Sequence, residues 1–526
     1  MEFVIREILR YYHTIRHLKR SQVFGRLLYR VKNLFLNSSK YYRHDKRPKL
    51  RNIKLVKPIE RYPSYLLNNR FTFINQSHTF KGKIDWNYSA YGKLWTYNLN
   101  YFDFINQEKI SKNEGLRLIR DFIKSEKQAI IGKEPYPVSL RIINWLKFIY
   151  THKVEDPEIN KFLYGDLINL RDNLEYHLLG NHLLENAFAL TIGGYCLQQE
   201  DIYNKGKRLL NEQLTIQLCS DGGHYELSPM YHQILLDRLL DTINFLGQEE
   251  ERDLLNYAEK MLSWLENITF NDESIPYLSD SAPGIAPATR ELLDYAKRLG
   301  IDWEKTGLSD SGYRTFGNQI YECIVDGGGL GPEYHTGHGH SDAASFLLRV
   351  NNQPVIVDTG ISTYEEGERR LMEKSVVSHN TTHPEDIEPS EMWKSFRVAR
   401  REKVSIIEEN KDSITIERKL PYKAKQVLKR RFDFKKNSIL ISDVAEYEKS
   451  SVLTKAYLHF APGLDIYLEN ERIITEVADF EFEGSESIQI ETYFKADGYN
   501  KLVESKKVSI QFRNNLQTLI NLKIEF

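Results

Sequence analysis

The chain has 526 residues, 41% of them hydrophobic and 28% charged, with a formal net charge of −1 and three cysteines. Its length calls for at least two hydrophobic cores, and a neutral balance leaves no electrostatic footprint for nucleic acid. Cys196, Cys219 and Cys323 are too few and too scattered for a disulfide framework, and no run of ~20 apolar residues offers a transmembrane helix. Residues 1–60 carry 16 Lys/Arg against 4 Asp/Glu, a balance of +12. This basic stretch, the start of an extension over 1–85, reads as helical in pieces. It suits either a docked helical extension or peripheral contact with an anionic membrane surface. Arg6, Arg10, Arg16, Lys19 and Arg20 interrupt every candidate core of a secretory signal. The expectation is therefore a cytoplasmic protein, soluble or held at the inner face of the membrane. A helical domain is expected over 86–310, because apolar residues recur at intervals of three and four in 116–125, 139–151, 160–179, 183–198, 203–218, 231–246 and 253–268. Near residue 310 the period changes to two. Strands are predicted at 320–325, 346–350, 354–357, 404–408, 413–418, 439–444, 455–460, 472–476 and 508–512, in a β domain over 311–526. Asn351-Asn352-Gln353 and Asn410-Lys411-Asp412 read as hairpin turns.

The densest chemistry lies in His335-Thr336-Gly337-His338-Gly339-His340-Ser341-Asp342. His338 and His340 alternate with a glycine, so in extended chain they share a face. Asp358 and His379 arrive from separate loops, and a carboxylate with two imidazoles is a ligand set for zinc. The reading is one structural Zn2+ per chain, held by His340, Asp358 and His379, with His338 free beside it for acid/base work. A polar turn with surface histidines would look the same. Upstream, Gly180-Asn181-His182 opens a helix, where unpaired N–H groups favour an anion. Ser228-Pro229-Met230-Tyr231 is a helix start with proline in the first turn. Taken singly, Asn181 also reads as a helix cap and Tyr231 as a core aromatic.

Asn181-His182, the segment 225–232, His338-Gly-His340-Ser-Asp342, Val357-Asp358-Thr359-Gly360 and Ser378-His379-Asn380-Thr381 together resemble the heparinase II/III-like polysaccharide lyases, including the oligoalginate-lyase branch. Supporting stretches at 94–102 and 136–145 extend the resemblance over roughly residues 90–400. The resemblance implies an incomplete (α/α) toroid followed by an antiparallel β-sandwich. The change of period agrees with it.

The implied reaction is β-elimination at a 4-linked uronic acid. The C5 proton is lost and the C4–O bond breaks, so charge develops on the sugar carboxylate. By resemblance, Asn181 and His182 would stabilise that charge, and Tyr231 and His338 would be the acid/base pair, in either order. The metal would fix loops rather than react. Trp95, Tyr97, Tyr136, Arg141, Asn144 and Arg397 are candidate substrate contacts, since an arginine fork suits a carboxylate and aromatic rings offer flat faces to a sugar. The partner would be a uronate-containing polysaccharide or oligosaccharide. Heparan, alginate, hyaluronan and bacterial surface glycans all remain open, and a role in surface-polysaccharide biosynthesis is one expectation. Two alternatives stand beside the lyase: a carbohydrate-binding scaffold without catalysis, and a glycoside hydrolase using Glu226 and Asp342.

Overall fold

The computed structural model describes residues 2–35, 38–247, 252–422, 426–448 and 452–523. Two helices come first, α1 (Glu2–Ile15) and α2 (Arg20–Phe35), followed by a hairpin of β1 (Arg70–Phe73) and β2 (Gln76–Thr79). The helical domain then runs through α3 (Lys93–Tyr101), α4 (Lys112–Lys124), α5 (Pro135–His152), α6 (Pro157–Asp172), α7 (Gly180–Cys196), α8 (Glu200–Gln217), α9 (Pro229–Leu246), α10 (Arg252–Ile268) and α11 (Thr289–Arg298). Helices α5, α7 and α9 are buried almost all round, so their apolar residues do not form a single stripe. One continuous core joins Phe71 and Trp86 to Trp145, Leu190, Leu239 and Leu265, so the β1–β2 hairpin belongs to this domain. Each fully buried Leu or Phe in it contributes about 1.5–3 kcal/mol.

Strands begin where the period changes. A four-stranded antiparallel sheet consists of β3 (Tyr313–Gly317), β4 (Tyr321–Asp326), β5 (Phe346–Val350) and β6 (Gln353–Ile356). After α12 (Glu368–Lys374) come β7 (Thr382–Pro384) and a small pair, β8 (Met392–Trp393) and β9 (Arg397–Val398). Next are β10 (Lys403–Asn410), β11 (Ser413–Lys419), β12 (Gln426–Phe434), β13 (Ser438–Tyr447) and β14 (Thr454–His459). The chain ends in β15 (Tyr467–Glu469), β16 (Arg472–Ile474), β17 (Ala478–Ala496) and β18 (Leu502–Leu522). The larger sheet has the order β10-β11-β12-β13-β18-β17-β16-β15, with β14 bridging β18 and β7. Val325, Phe346 and Leu348 of the small sheet share one core with Ile416, Phe432 and Ile510 of the large one. The two sheets are therefore packed face to face.

Both predicted hairpins form. Asn351 and Asn352 take φ of 49° and 64° between Val350 and Gln353, a two-residue turn that asparagine tolerates. The helix expected over 160–179 ends at Asp172, and Leu179 and Gly180 adopt φ of 66° and 57°. The freed segment carries Glu175, whose N–H donates to Asn186 Oδ1 at 2.9 Å. Among the described residues no helix is long and apolar enough to cross a membrane.

Candidate active site between the two domains

Asn181 and His182 open α7, reached through a glycine for a steric reason. A Cβ at position 180 would collide with the side chains of Glu226 and His335. Asn181 donates from its backbone N to Glu226 Oε1 at 2.7 Å and from Nδ2 to Oε2 at 3.1 Å. Its Oδ1 is buried with no partner. Ser228 caps α9, accepting from Tyr231 N at 3.4 Å, and also donates to Asp280 O at 2.9 Å. The Tyr231 ring lies 4.2 Å from the His338 ring, and its hydroxyl is 3.2 Å from that of Tyr364. Burial, the largest effect, raises the Tyr231 phenol above its ordinary pKa.

Asp280, on the loop between α10 and α11, organises the histidines. Its Oδ2 is 2.8 Å from His338 Nδ1 and its Oδ1 is 2.8 Å from His340 Nε2. Arg370 of α12 grips both oxygens, at 2.6 and 2.7 Å. Burial alone would raise the carboxyl; the Arg370 guanidinium and the two histidines hold it well below the usual range. An ionised carboxylate only accepts, so both imidazoles donate to it. That fixes their tautomers in opposite senses. His338 turns its other nitrogen, Nε2, away from Asp280, 3.4 Å from both Asn181 Nδ2 and Glu226 Oε2. His340 is left with a bare Nδ1, buried and unpartnered. The shared face expected for His338 and His340 is realised, on an irregular loop rather than a strand.

His340 faces the candidate metal centre. Ligand atoms of His340, Asp342 and His379 lie within 4.8 Å of one another, all three residues buried. His379 Nε2 is also buried without a partner. Two imidazoles with open nitrogens and a carboxylate fit a divalent metal. Burial lowers His340 to about 4, which keeps it neutral. The expected ligand set changes here. Asp342, absent from the sequence-based set, completes the cluster, and Asp358 stands behind His379. Asp358 Oδ2 is 2.7 Å from His379 Nδ1 and Oδ1 accepts from Gly360 N at 2.9 Å, so both of its oxygens are engaged.

His182 lies one position beyond Asn181 at the start of α7. Its Nδ1 is 3.1 Å from Glu175 Oε1, and its ring lies 4.4 Å from that of Tyr136, tilted by 44°. Tyr97 joins Tyr136, Tyr101 and Leu140 in a small aromatic cluster and bonds Glu134 through its hydroxyl. Burial pulls the His182 pKa down, but the Glu175 carboxylate outweighs it and the net shift is upward. The stability this pair lends is full below the ordinary histidine pKa, ~6.5. It is lost as pH rises through the raised value. If the charged form binds the sugar carboxylate, Glu175→Gln should move the alkaline limb of kcat/KM to lower pH, while the limb in the unaltered protein lies above the ordinary histidine range. An unmoved limb would rule out the Glu175–His182 pair as its source.

Three expected contacts are in the core instead. Trp95 has no exposed surface and donates from Nε1 to Gln76 O at 3.0 Å. Arg141, also fully buried, makes a bidentate pair with Asp166 at 2.9 and 2.7 Å, so the carboxylate it serves is the chain's own. Asn144 donates to Tyr101 O and Asp103 Oδ1, both at 2.9 Å. Arg397 is exposed and lies over the Trp393 ring at 4.9 Å, outside the acid/base cluster. Its neighbour Phe396 is closer to the chemistry, 5.9 Å from the His338 ring. Sequence reasoning missed Asp280, Arg370, Glu175 and Tyr364. It also missed Glu185, one turn after Asn181 on α7. Glu185 is fully buried, both its oxygens lack a hydrogen bond, and burial raises it to about 7 although Arg238 stands 3.4 Å away. Helical spacing of three and four from His182 and Asn181 was the available signal for it.

The N-termini of α7 and α9 meet a histidine loop of the following antiparallel domain, so the candidate site lies at the interface of the two. Residues 133–298 match the model of the heparinase II/III N-terminus and residues 301–523 match that of the heparinase II/III-like C-terminal domain. The chain belongs to the heparinase II/III family. A heparin-sulfate lyase of Bacteroides stercoris is 24% identical over 244 residues, which is 39% of this chain and 36% of that protein. The match thus spans little more than a third of that relative's length. Among solved structures, a heparinase III superposes with a TM-score of 0.65 at 13% identity, covering 97% of this chain and 93% of its own. Heparan sulfate lyase HepC of Pedobacter heparinus gives 0.58 at 15%, covering 94% and 87%. At these identities the likeness is one of fold.

Proposed function

We propose that the protein is a polysaccharide lyase that cleaves a uronate-containing glycan by β-elimination. The observation that carries this reading is the Nε2 of His338, the ring nitrogen turned away from Asp280, set beside Asn181 in a ring 4.2 Å from that of Tyr231. Asp280 holds the Nδ1 proton of His338, so Nε2 is the basic position and takes the C5 proton. The C5–H electron pair forms the C4=C5 bond, C4–O4 breaks, and O4 takes the phenol proton of Tyr231. The raised phenol pKa suits a proton donor rather than a base. Asn181 Nδ2 and His182, whose pKa the Glu175 carboxylate raises, would face the carboxylate on which charge builds. Tyr136 and Tyr97 supply the flat wall beside His182. Against the hydrolase alternative stand the partners of its two carboxylates: Glu226 is engaged by Asn181 and Asp342 lies in the His340–His379 cluster.

The relatives' names point to heparin and heparan sulfate, and a sulfated or unsulfated uronate polymer is the substrate class carried over. Incubation with a panel of uronate polysaccharides tests it. Ultraviolet absorbance of an unsaturated uronate product is expected for at least one polymer. Chain cleavage without that absorbance would favour hydrolysis, and tight binding without cleavage would favour a carbohydrate-binding scaffold.

The metal we propose for His340, Asp342 and His379 is zinc, with Asp358 orienting His379. When bound it would supply a fixed charge tying two loops together, behind the Asp280 carboxylate that orients His338. Elemental analysis of protein purified without chelator should find close to one zinc per chain. His340→Ala should lower both metal content and thermal midpoint, because a ligand bound only by the folded state stabilises it. Metal-free protein with an unchanged midpoint and full activity would remove the site.

A further inference from the structure

The first two helices are polar where they meet the protein and apolar where they do not. On α1, Arg10 Nε donates to Glu391 Oε1 at 2.9 Å and Thr14 Oγ1 accepts from Trp393 Nε1 at 3.0 Å. Its opposite side carries Val4, Ile5, Ile8, Leu9, Tyr12 and Ile15. At about 100° per residue these fall within an arc of roughly 140°. On α2, Gln22 Nε2 donates to Tyr334 O at 3.1 Å and the Tyr29 ring stacks 4.3 Å from His177. Gly25 allows this approach, because a Cβ there would stand 3.0 Å from His177 N. The side turned away holds Val23, Phe24, Leu27, Leu28 and Val31, again within an arc of roughly 140°. These eleven side chains are 41–64% exposed. An amphipathic helix ordinarily turns such a stripe toward a core. A contiguous apolar face of this kind on a folded domain marks a binding surface.

Charge says what covers it. Arg6, Arg16, Arg20, Arg26 and Arg30 are exposed on the same two helices. Among the described residues none of the five has a carboxylate within salt-bridge distance, and the sequence supplies only Glu2 and Glu7 as acids before residue 45. A second copy meeting this face about a two-fold axis would bring two such basic patches together with almost no acid on either to offset them. Anionic headgroups over an acyl layer satisfy both the cations and the apolar stripe. We propose that α1 and α2 form an interfacial docking surface for an anionic lipid bilayer, lying flat with the two apolar stripes in the headgroup–acyl boundary. The contact stands independently of the lyase reading. Its geometry also positions the site. Helix α2 rests on Tyr334 and His177, in the loops that lead to His338 and Asn181, so those loops lie about one helix diameter, ~10 Å, from the docked face.

Full-length protein tests this by co-sedimentation with vesicles. It should pellet with phosphatidylcholine vesicles containing phosphatidylglycerol, remain in the supernatant with phosphatidylcholine alone, and be released from the anionic vesicles by high salt. Phe24→Glu with Leu27→Glu should weaken partition at least about tenfold. Both positions are exposed, so the thermal midpoint should stay unchanged. Arg16→Ser with Arg20→Ser should weaken binding to anionic vesicles while leaving the midpoint intact. Failure of the unaltered protein to pellet with anionic vesicles overturns the proposal. So does a lipid-free dimer, seen by light scattering, that the same glutamate substitutions dissolve, because the face would then be occupied by a second copy.

Discussion

Tyr231→Phe should abolish most turnover, by about 10²–10⁴-fold, and leave substrate affinity close to that of the unaltered protein. The substitution removes one oxygen and its proton. It leaves the ring against His338 at 4.2 Å, and neither the Ser228 cap nor the α9 backbone is disturbed. The lost hydroxyl contact is to Tyr364, whose own hydroxyl remains beside the cleft. Single-turnover assays of product absorbance, with affinity measured separately by calorimetry on the inactive variant, separate chemistry from binding. Near-normal turnover would exclude Tyr231 as the donor to O4.

Asp280→Asn should be equally severe for activity and, unlike Tyr231→Phe, severe for stability. One carboxylate orients His338 and His340 and neutralises Arg370, with all four groups buried. An amide can accept from one imidazole only by donating toward the other, so at least one histidine must change tautomer or turn. Loss of about 10³–10⁴-fold in kcat is expected when a catalytic histidine loses the carboxylate that sets its tautomer. Arg370 meanwhile becomes an uncompensated buried charge, a cost of about 3–5 kcal/mol. The two effects can be separated. Adding Arg370→Met to Asp280→Asn should recover much of the thermal midpoint without recovering activity. Recovery of both would make Asp280 merely a partner of Arg370. A midpoint unchanged in Asp280→Asn alone would mean that the site is not as dry as the structure has it.

Much of this architecture is legible in periodicity. The change from intervals of three and four to intervals of two near residue 310 marks the boundary between helices and strands, because each backbone exposes its faces at its own repeat. Ser228-Pro229 announces α9, and Asn351-Asn352 announces a hairpin, since both depend on local backbone chemistry. Strands β17 and β18 are less legible. They run for 19 and 21 residues, and their mixed burial shows no clean alternation over much of that length. His338-Gly-His340 is readable as a pair because the two residues are neighbours.

Other features depend on which surfaces meet. Asp280 and Arg370 are 90 positions apart, and nothing in either local sequence reports the other. The choice between Asp342 and Asp358 as a member of the candidate metal cluster turns on how three loops fold over one another. Trp95, Arg141 and Asn144 are of residue types that suit a sugar, but residue type does not distinguish a packed core from a cleft, and here the core takes all three. The same limit applies to α1 and α2. Their composition shows an apolar stripe and a basic excess; only tertiary contacts reveal that the polar side is docked and the apolar side left open. A helical repeat defines faces relative to the helix axis, and the neighbours those faces meet are set by long-range packing.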